Sequence, residues 1–332
     1  GDEYLAQQSL RTLTNASRRA PYDIKLPLTI YNTSCYRGIP GKYIAAGPLA
    51  SRWLQQQFAS DATLARSGAQ VLGEPAAGYL SHPGYAALPK APYRYQEMLG
   101  VIWRENPSCY LQDGEQAVLL AALMETDNAG RPLIDAWINR SGLSPDAWLE
   151  KLFEASVIPF YHLLCRYGVA LIAHGQNVTL VMKDYVPQRI LLKDFQGDMR
   201  LVDEDFPQAQ SLPEQVKAVT ARLSADYIIH DLQTGNFVTV LRFISRLTLQ
   251  SGVSETRFYQ ILAGVLHRYM AAHPELADRF AKFDLFKPQI IRVILNPVKL
   301  TFSEHDGGSR MLPNYVTDLD NPLFLASRES AQ

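Results

Sequence analysis

Between Asp23 and Thr33 the chain reads D-I-K-L-P-L-T-I-Y-N-T, so Ile24, Leu26, Leu28 and Ile30 fall on one side of an extended backbone. Lys25, Thr29 and Thr33 fall on the other side. This alternation predicts a half-buried strand with its apolar side inward. Pro27 has no amide to offer a ladder, which makes the strand an edge strand or an irregular one. Downstream, Gly47-Pro48 leads into a helix over 49–58, and 68–92 is rich in turn residues with strand fragments between them. Residues 95–104 fit helix or strand equally well. The apolar run 118–125 followed by Asn128-Ala129-Gly130 predicts a hairpin.

The second half carries clearer punctuation. Ser144-Pro145-Asp146 combines a capping serine, proline at the first helical position and an early acid, so a helix should run from there to about Tyr167, kinked at Pro159 and stopped by Gly168. Residues 178–183 and 189–194 predict two strands of a hairpin around Pro187. His174, Gly175, Gln176 and Asn177 precede the first strand and Asp194 ends the second, which gathers polar groups at one end of a small sheet. Helical spacing follows over 214–232, 237–249, 255–272 and 288–295. The expected class is α+β: a small mixed or antiparallel sheet region over 1–142, then an α-rich domain over 143–332.

Composition narrows the classes of function. With 332 residues, 47% hydrophobic and 20% charged, the chain is long and apolar enough to fold around a real core. Its net charge of −1 provides no overall field toward nucleic acid or an anionic membrane, so small-molecule partners are expected. Cys35, Cys109 and Cys165 are isolated and odd in number, which argues against a disulfide framework or a cysteine metal site and suits a cytoplasmic setting. No apolar run is long enough for a membrane span. The neutral total conceals a local excess, because Arg11, Arg18, Arg19, Lys25, Arg37, Lys42 and Arg52 face only Asp23 between Tyr4 and Arg52, a net of +6. A lysine and hydroxyls on one strand face, followed by Ser34 and Arg37 in R-G-I-P-G, make a surface suited to an oxyanion.

The common nucleotide, zinc-hydrolase and serine-hydrolase signatures are absent from the sequence. What remains is H-G-Q-N, a strand pair, and K-D-F-Q-G. In outline this resembles a small-molecule kinase, where a histidine-led loop supplies a base and a later aspartate holds magnesium. Gln176, however, stands where that base would be, and an amide cannot take a proton. Attack of a carboxylate on the α-phosphate of ATP has the same electrostatic needs and no need of a base, since the acid is already ionised. Asp194 could then hold magnesium, and Lys25, Arg11 and Arg37 could meet phosphates and acid. On residue types alone, His174 reads equally as a buried histidine satisfied by backbone, and Asp194 as a turn cap.

Beyond these residues, the sequence resembles the siderophore synthetases that act independently of the nonribosomal peptide machinery. The resemblance rests on K-L-P-L-T-I-Y-N-T-S-C-Y-R-G-I-P-G, A-G-P-L-A-S-R-W-L, G-V-I-W-R-E-N, L-C-R-Y-G-V-A-L-I-A-H-G-Q-N, L-L-K-D-F-Q-G-D-M-R-L-V and N-P-V-K-L-T, spread along nearly the whole chain. It implies adenylation of a citrate carboxylate with ATP and Mg2+, release of pyrophosphate, and displacement of AMP by an amine. It further implies that Ser9, Arg11 and Lys25 bind phosphate, and that Thr33 and Arg37 meet phosphate and citrate. His174, Gln176 and Asn177 would form the acid and nucleotide loop, with Asn177 and Asp194 near the metal. The expected substrates are citrate or a citryl monoamide and N6-acetyl-N6-hydroxylysine; a homo-oligomer is left open. The family's hand-shaped fold would be represented by fingers and palm. Its upstream H-P-x-H-P element is missing, with only the isolated pairs His82-Pro83 and His273-Pro274 present, so the chain reads as the C-terminal part of a longer enzyme without the thumb-like wall. The family's C-terminal half also resembles ferric-siderophore reductases, but the four clustered cysteines of their [2Fe–2S] centre are lacking and electron transfer is not expected. Arg104 and Glu105 read either as a brace for the cleft or as a structural ion pair, and Lys299 and Arg310 as carboxylate contacts or solvated surface. A phosphotransferase and a noncatalytic ferric-siderophore or carboxylate binder are the alternatives from other classes.

Overall fold

The computed structural model describes residues 1–32, 35–39, 41–88, 98–195, 197–294 and 314–329. Thr33, Ser34, Lys299 and Arg310 lie outside them. The first region is built on a five-stranded antiparallel sheet in the order Tyr4–Ala6, Thr12–Asn15, Tyr22–Lys25, Gly100–Glu105, Ala76–Tyr79. The Tyr22–Lys25 strand sits in the middle of this sheet, and the extended pattern around it breaks at Leu26-Pro27. Leu28–Asn32 turns away to pair with Cys35–Arg37 as a separate two-stranded piece. Pro27 thus divides one predicted strand between two sheets, the irregular outcome that its missing amide allows.

The polarity of that strand is the reverse of the sequence expectation. Asp23 is 1% exposed, whereas Leu26 is 37% and Ile30 40% exposed. The ladder explains this. Asp23 lies opposite Arg104 and Lys25 opposite Thr12, so the four share one face, while Ile24 and its partner Trp103 point the other way. Asp23 accepts hydrogen bonds from Gln7 Nε2 at 2.8 Å, Thr14 Oγ1 at 2.8 Å and Asn106 Nδ2 at 2.7 Å. Polar side chains that satisfy one another across strands can be buried together.

A second sheet joins the two halves of the chain. Its order is Gln70–Val71, Val186–Leu192, Val178–Lys183, Glu115–Leu119, so strands from both sides of residue 142 lie in it. The predicted hairpin forms its centre, but its second strand runs Val186–Leu192, so Pro187 lies in the strand and not in the expected loop. Asp184 and Tyr185 connect the strands with φ of 51° and 64°, both positive as a two-residue type I′ turn requires. The register then skips Gln188, since Met182 pairs with Pro187 and Val181 with Arg189, and this bulge accommodates the proline. Tyr185→Gly is expected to stabilise the protein by ~0.5–1 kcal/mol by relieving the left-handed backbone of a bulky residue. Its carbonyl keeps the bond from Trp148 Nε1, and a urea midpoint that falls would contradict this.

The 144–168 passage forms as its caps predict, as helices Pro145–Ser156 and Ile158–Tyr167 broken just before Pro159. Gly168 closes the second at φ 64°, and Phe153 meets Phe258 of the Glu255–Ala271 helix edge to face at 4.9 Å. Three expectations fail elsewhere. Residues 118–125 pass from a strand, Glu115–Leu119, into a 3-10 turn, and the Asn128 turn closes only a single bridge between Thr126 and Pro132. Residues 95–104 resolve as strand in the described part, Gly100–Glu105. Of the helix expected over 214–232 only short turns form, because Ala221–Leu223 pairs in parallel with Met199–Val202, itself antiparallel to Val169–Leu171. The 288–295 segment is the strand Gln289–Ile294, paired with Asn314–Asp320, as its β-branched content favours. No helix among the described residues is long and apolar enough to cross a membrane.

Candidate active site

The site is assembled where the open end of the hairpin meets the polar face of the first sheet. At the end of Val186–Leu192 the chain turns at Asp194, which has φ 64°, a left-handed conformation aspartate tolerates better than most residues. The turn directs the Asp194 carboxylate to Lys25 and Arg104. Lys25 Nζ donates to Oδ1 in an ion pair, and Arg104 Nη1 donates to the same oxygen at 3.0 Å. Arg104, itself 1% exposed, also donates from Nη2 to Thr12 Oγ1 at 3.3 Å, and Thr12 donates to Ser9 Oγ at 3.1 Å. One continuous chain of contacts thus runs from the S-L-R-T segment to the K-D-F-Q-G segment. Arg11 Nη1 donates to the Gly38 carbonyl beside Arg37, which ties the second basic element to the first.

On the other side stands the H-G-Q-N loop. Lys193 N donates to the Asn177 carbonyl at 3.2 Å and Asn177 N to the His174 carbonyl at 2.9 Å, so the loop and the strand end are joined through backbone. Gly175 lies against Ala121, where an added Cβ would sit 3.0 Å from main-chain atoms, a contact that Ala121 would have to yield to accommodate. Asn177 Nδ2 donates to Ile172 O and to Asp198 Oδ2, each at 3.3 Å. The Asn236 amide supports the loop from behind by donating to Ala173 O at 3.2 Å. Gln176 is exposed, and its N–H donates to His174 Nδ1 at 3.3 Å. A ring nitrogen that accepts cannot carry the proton, so the neutral imidazole presents its N–H at Nε2.

Charge within the site is unevenly matched. Burial opposes ionisation of Asp194, yet the Lys25, Arg104 and Lys193 charges outweigh it and hold the carboxyl well below the usual range. Burial lowers the Lys193 ammonium to about 8 with Arg104 adding to the effect, while Asp194 opposes it. Burial also lowers His174, against the pull of Asp198 and Asp194, and favours the neutral ring. Among the described residues no group of three or more His, Cys, Asp or Glu side chains could hold a metal. Asp194 and Asp198 are the carboxylates that act on the His174 ring, and Asp198 also accepts from Asn177 Nδ2.

The sequence model described as the IucA / IucC family matches residues 1–125, and the one described as ferric iron reductase FhuF-like transporter matches residues 146–309. The chain is 71% identical to an aerobactin synthase of Escherichia coli, across 99% of this chain and 57% of that protein. By these matches the chain is similar to the IucA / IucC family of synthetases. A solved aerobactin synthetase, IucC from a hypervirulent pathotype of Klebsiella pneumoniae, is 64% identical with a TM-score of 0.85, across 99% of this chain and 55% of that one. An ATP-bound aerobactin synthetase, IucA from the same pathotype, shares the fold at 18% identity and a TM-score of 0.71, across 96% of this chain and 55% of that one. The chain therefore spans little more than half the length of these synthetases.

Of the residues singled out by sequence, the structure links Lys25 to Asp194 directly, Ser9 to Asp194 through Thr12 and Arg104, and His174 and Asn177 to the Asp194 strand end through the Lys193 backbone, and brings Arg11 to the backbone next to Arg37. Gln176 is on the loop but exposed, and Thr33 lies outside the described residues. Arg104 is a brace: it clamps Asp194 to Thr12, while neighbouring Glu105 turns away to accept from Gly73 N at 2.6 Å and Gln55 Nε2 at 3.0 Å. Sequence reading overlooked Thr12, Lys193 and Asp198. Lys193 is adjacent to Asp194, and Thr12 is the last residue of S-L-R-T, so the synthetase motifs already contained both.

Proposed function

We propose that the protein is an ATP-dependent ligase of the aerobactin synthase type, which activates a carboxylate of citrate or a citryl monoamide as the acyl-adenylate and transfers the acyl group to the amine of N6-acetyl-N6-hydroxylysine. The observation that carries the reading is the convergence of Lys25 and Arg104 on the single carboxylate of Asp194. Such a site suits a polyphosphate held beside a cation-binding aspartate. The similarity to aerobactin synthases along the whole chain supports the choice of acid and amine. Asp194, with the Asp198 and Asn177 oxygens, would hold magnesium, which supplies further neutralisation of phosphate charge when bound.

In the first step an ionised carboxylate oxygen of the acid bonds to the α-phosphorus, and the bond to the bridging oxygen breaks as pyrophosphate leaves. No base is needed, in keeping with an amide at Gln176. Ser9, Arg11 and Lys25 bind the phosphates, and Arg37, with the His174 Nε2–H, holds the acid. In the second step the amine nitrogen bonds to the acyl carbon, the acyl–phosphate bond breaks, AMP departs, and the amine proton passes to solvent or a nearby base. Products test the assignment. The complete protein with citrate-type acids is expected to release AMP and pyrophosphate; release of ADP would mark a phosphotransferase, and no turnover a binding protein.

A further inference from the structure

An open groove of about 480 Å³ is lined by Met124, Thr239, Phe243, Arg246, Leu247 and Gln250. Its two walls are the elements that hold the H-G-Q-N loop in place. Met124 ends the 3-10 turn Leu120–Met124, whose Ala121 N–H donates to Gly175 O at 3.1 Å. Thr239 stands in the π-helix Gln233–Leu241, whose Asn236 side chain donates to Ala173 O at 3.2 Å. Gly235 of the same helix packs so closely that an added Cβ would lie 3.2 Å from Ala173 N, and Thr239 Oγ1 donates back to the Gly235 carbonyl at 2.7 Å. Phe243, Arg246 and Leu247 follow on the helix Arg242–Leu247, and Gln250 in the turn after it. The groove thus starts beside the loop that carries His174 and Asn177, between the two elements on which that loop rests.

The lining is amphipathic. Met124, Phe243 and Leu247 supply apolar surface, and Phe243 remains 47% exposed although the Arg242 guanidinium lies over its ring, 4.7 Å from the centroid. Among the described residues that line the groove, Arg246 is the one charged side chain and no carboxylate accompanies it. A volume of this size is typical of small-molecule sites, in which apolar walls take the body of the ligand and a few polar groups fix its orientation. Widened π-helical turns are rare in ordinary helices and frequent next to such sites. The apolar walls suit a chain of methylenes, and a guanidinium suits a carboxylate, which it can meet with two parallel N–H donors. ATP and citrate each carry several negative charges and would leave most of this apolar surface unused. An amino acid with one carboxylate and a long apolar side chain matches both features.

We propose that this groove binds the amine substrate of the second step, an amino acid whose methylene chain lies along Met124, Phe243 and Leu247 and whose carboxylate pairs with Arg246. The assignment rests on the ligase reading above and adds to it a site for the second substrate, beside the loop that holds the acid.

The experiment uses the complete protein and separates its two steps. Acid-dependent pyrophosphate exchange reports the first step without any amine, and amide formation reports the second, with N6-acetyl-N6-hydroxylysine and its decarboxylated counterpart as the two amines. Phe243 and Arg246 are both exposed, so their variants are expected to fold. Wild type should show the lower KM for the amine that bears the carboxylate. Arg246→Met should raise that KM by ~10- to 100-fold while leaving the KM of the decarboxylated amine and the exchange rate unchanged, and Arg246→Lys should restore part of the preference. Phe243→Ser should raise the KM of both amines by about 10-fold, because both lose the same methylene contacts. A wild type without preference between the amines, or either variant with wild-type KM values, overturns the assignment, and exchange that persists keeps the ligase reading intact. Exchange that falls in Arg246→Met overturns it in favour of the acid or the nucleotide. Wild type without pyrophosphate exchange overturns the ligase reading, and the role of the groove with it.

Discussion

Asp194→Asn is expected to abolish adenylate formation and at the same time to destabilise the free protein by ~3–5 kcal/mol. Both effects have one source. The carboxylate is the counter-charge for Lys25 and Arg104, so its neutralisation leaves buried cations unmatched, the circumstance in which removing one partner is most damaging. Catalysis loses the oxygen that would hold the metal and the anchor that orients Lys25, and an acid-dependent pyrophosphate exchange rate reduced by at least ~10²-fold is expected. The destabilisation should lessen when phosphate or ATP is added, because an external anion replaces the missing charge. A variant as stable as wild type, or one that still exchanges pyrophosphate, would remove Asp194 from the centre of the site.

The second large effect concerns an aspartate outside the site. Asp61 accepts from Thr63 N at 2.9 Å and Leu64 N at 3.0 Å at the start of the Ala62–Ser67 helix, and its carboxylate also meets His162 Nε2 at 3.1 Å, Arg166 Nε at 2.8 Å and the Tyr167 hydroxyl at 3.1 Å. His162 is held in turn by the Tyr269 hydroxyl, 2.7 Å from Nδ1. Asp61→Ala removes a helix cap worth ~1 kcal/mol and strands several buried donors, so a loss of ~3–5 kcal/mol is expected in chemical denaturation. Burial opposes the charge, but the His162 contact and the two amide donors hold the carboxyl below its ordinary range. A depressed folded-state pKa contributes stability that is fully present above the unfolded value near ~4 and is lost as pH falls further. Asp61→Ala should therefore flatten the acid limb of the stability curve below about pH 4. ATP affinity of the remaining folded protein should be unchanged, which separates this aspartate from Asp194. A pH profile identical to wild type would refute the linkage.

Local signals were reliable where the chain itself supplied the partners. Ser144 accepts from Ala147 N as its capping position predicts, Gly168 stops the helix, and the strands around Pro187 pair with each other after two residues. Signals failed where the partner is distant in sequence. Residues 221–223 are a strand because Met199–Val202 offers them a ladder, and 289–294 because Asn314–Asp320 does. Helical spacing in those segments describes a preference that a nearby sheet edge overrode.

The same division runs through the site. Sequence by itself determined the chemistry: a basic segment, a histidine-led loop, an aspartate at a strand end, and an amide where a kinase would need a base. It also carried the resemblance to siderophore synthetases, because several long motifs keep their order along the chain. Only the tertiary structure decided which face of the Tyr22–Lys25 strand is buried, because the inward turn of Asp23 and Lys25 depends on Thr12, Thr14, Asn106 and Arg104 from neighbouring strands. Only it decided that Arg104 clamps the site, since charge balance is a sum over groups that sequence separates by more than eighty residues and the fold brings within a few ångströms.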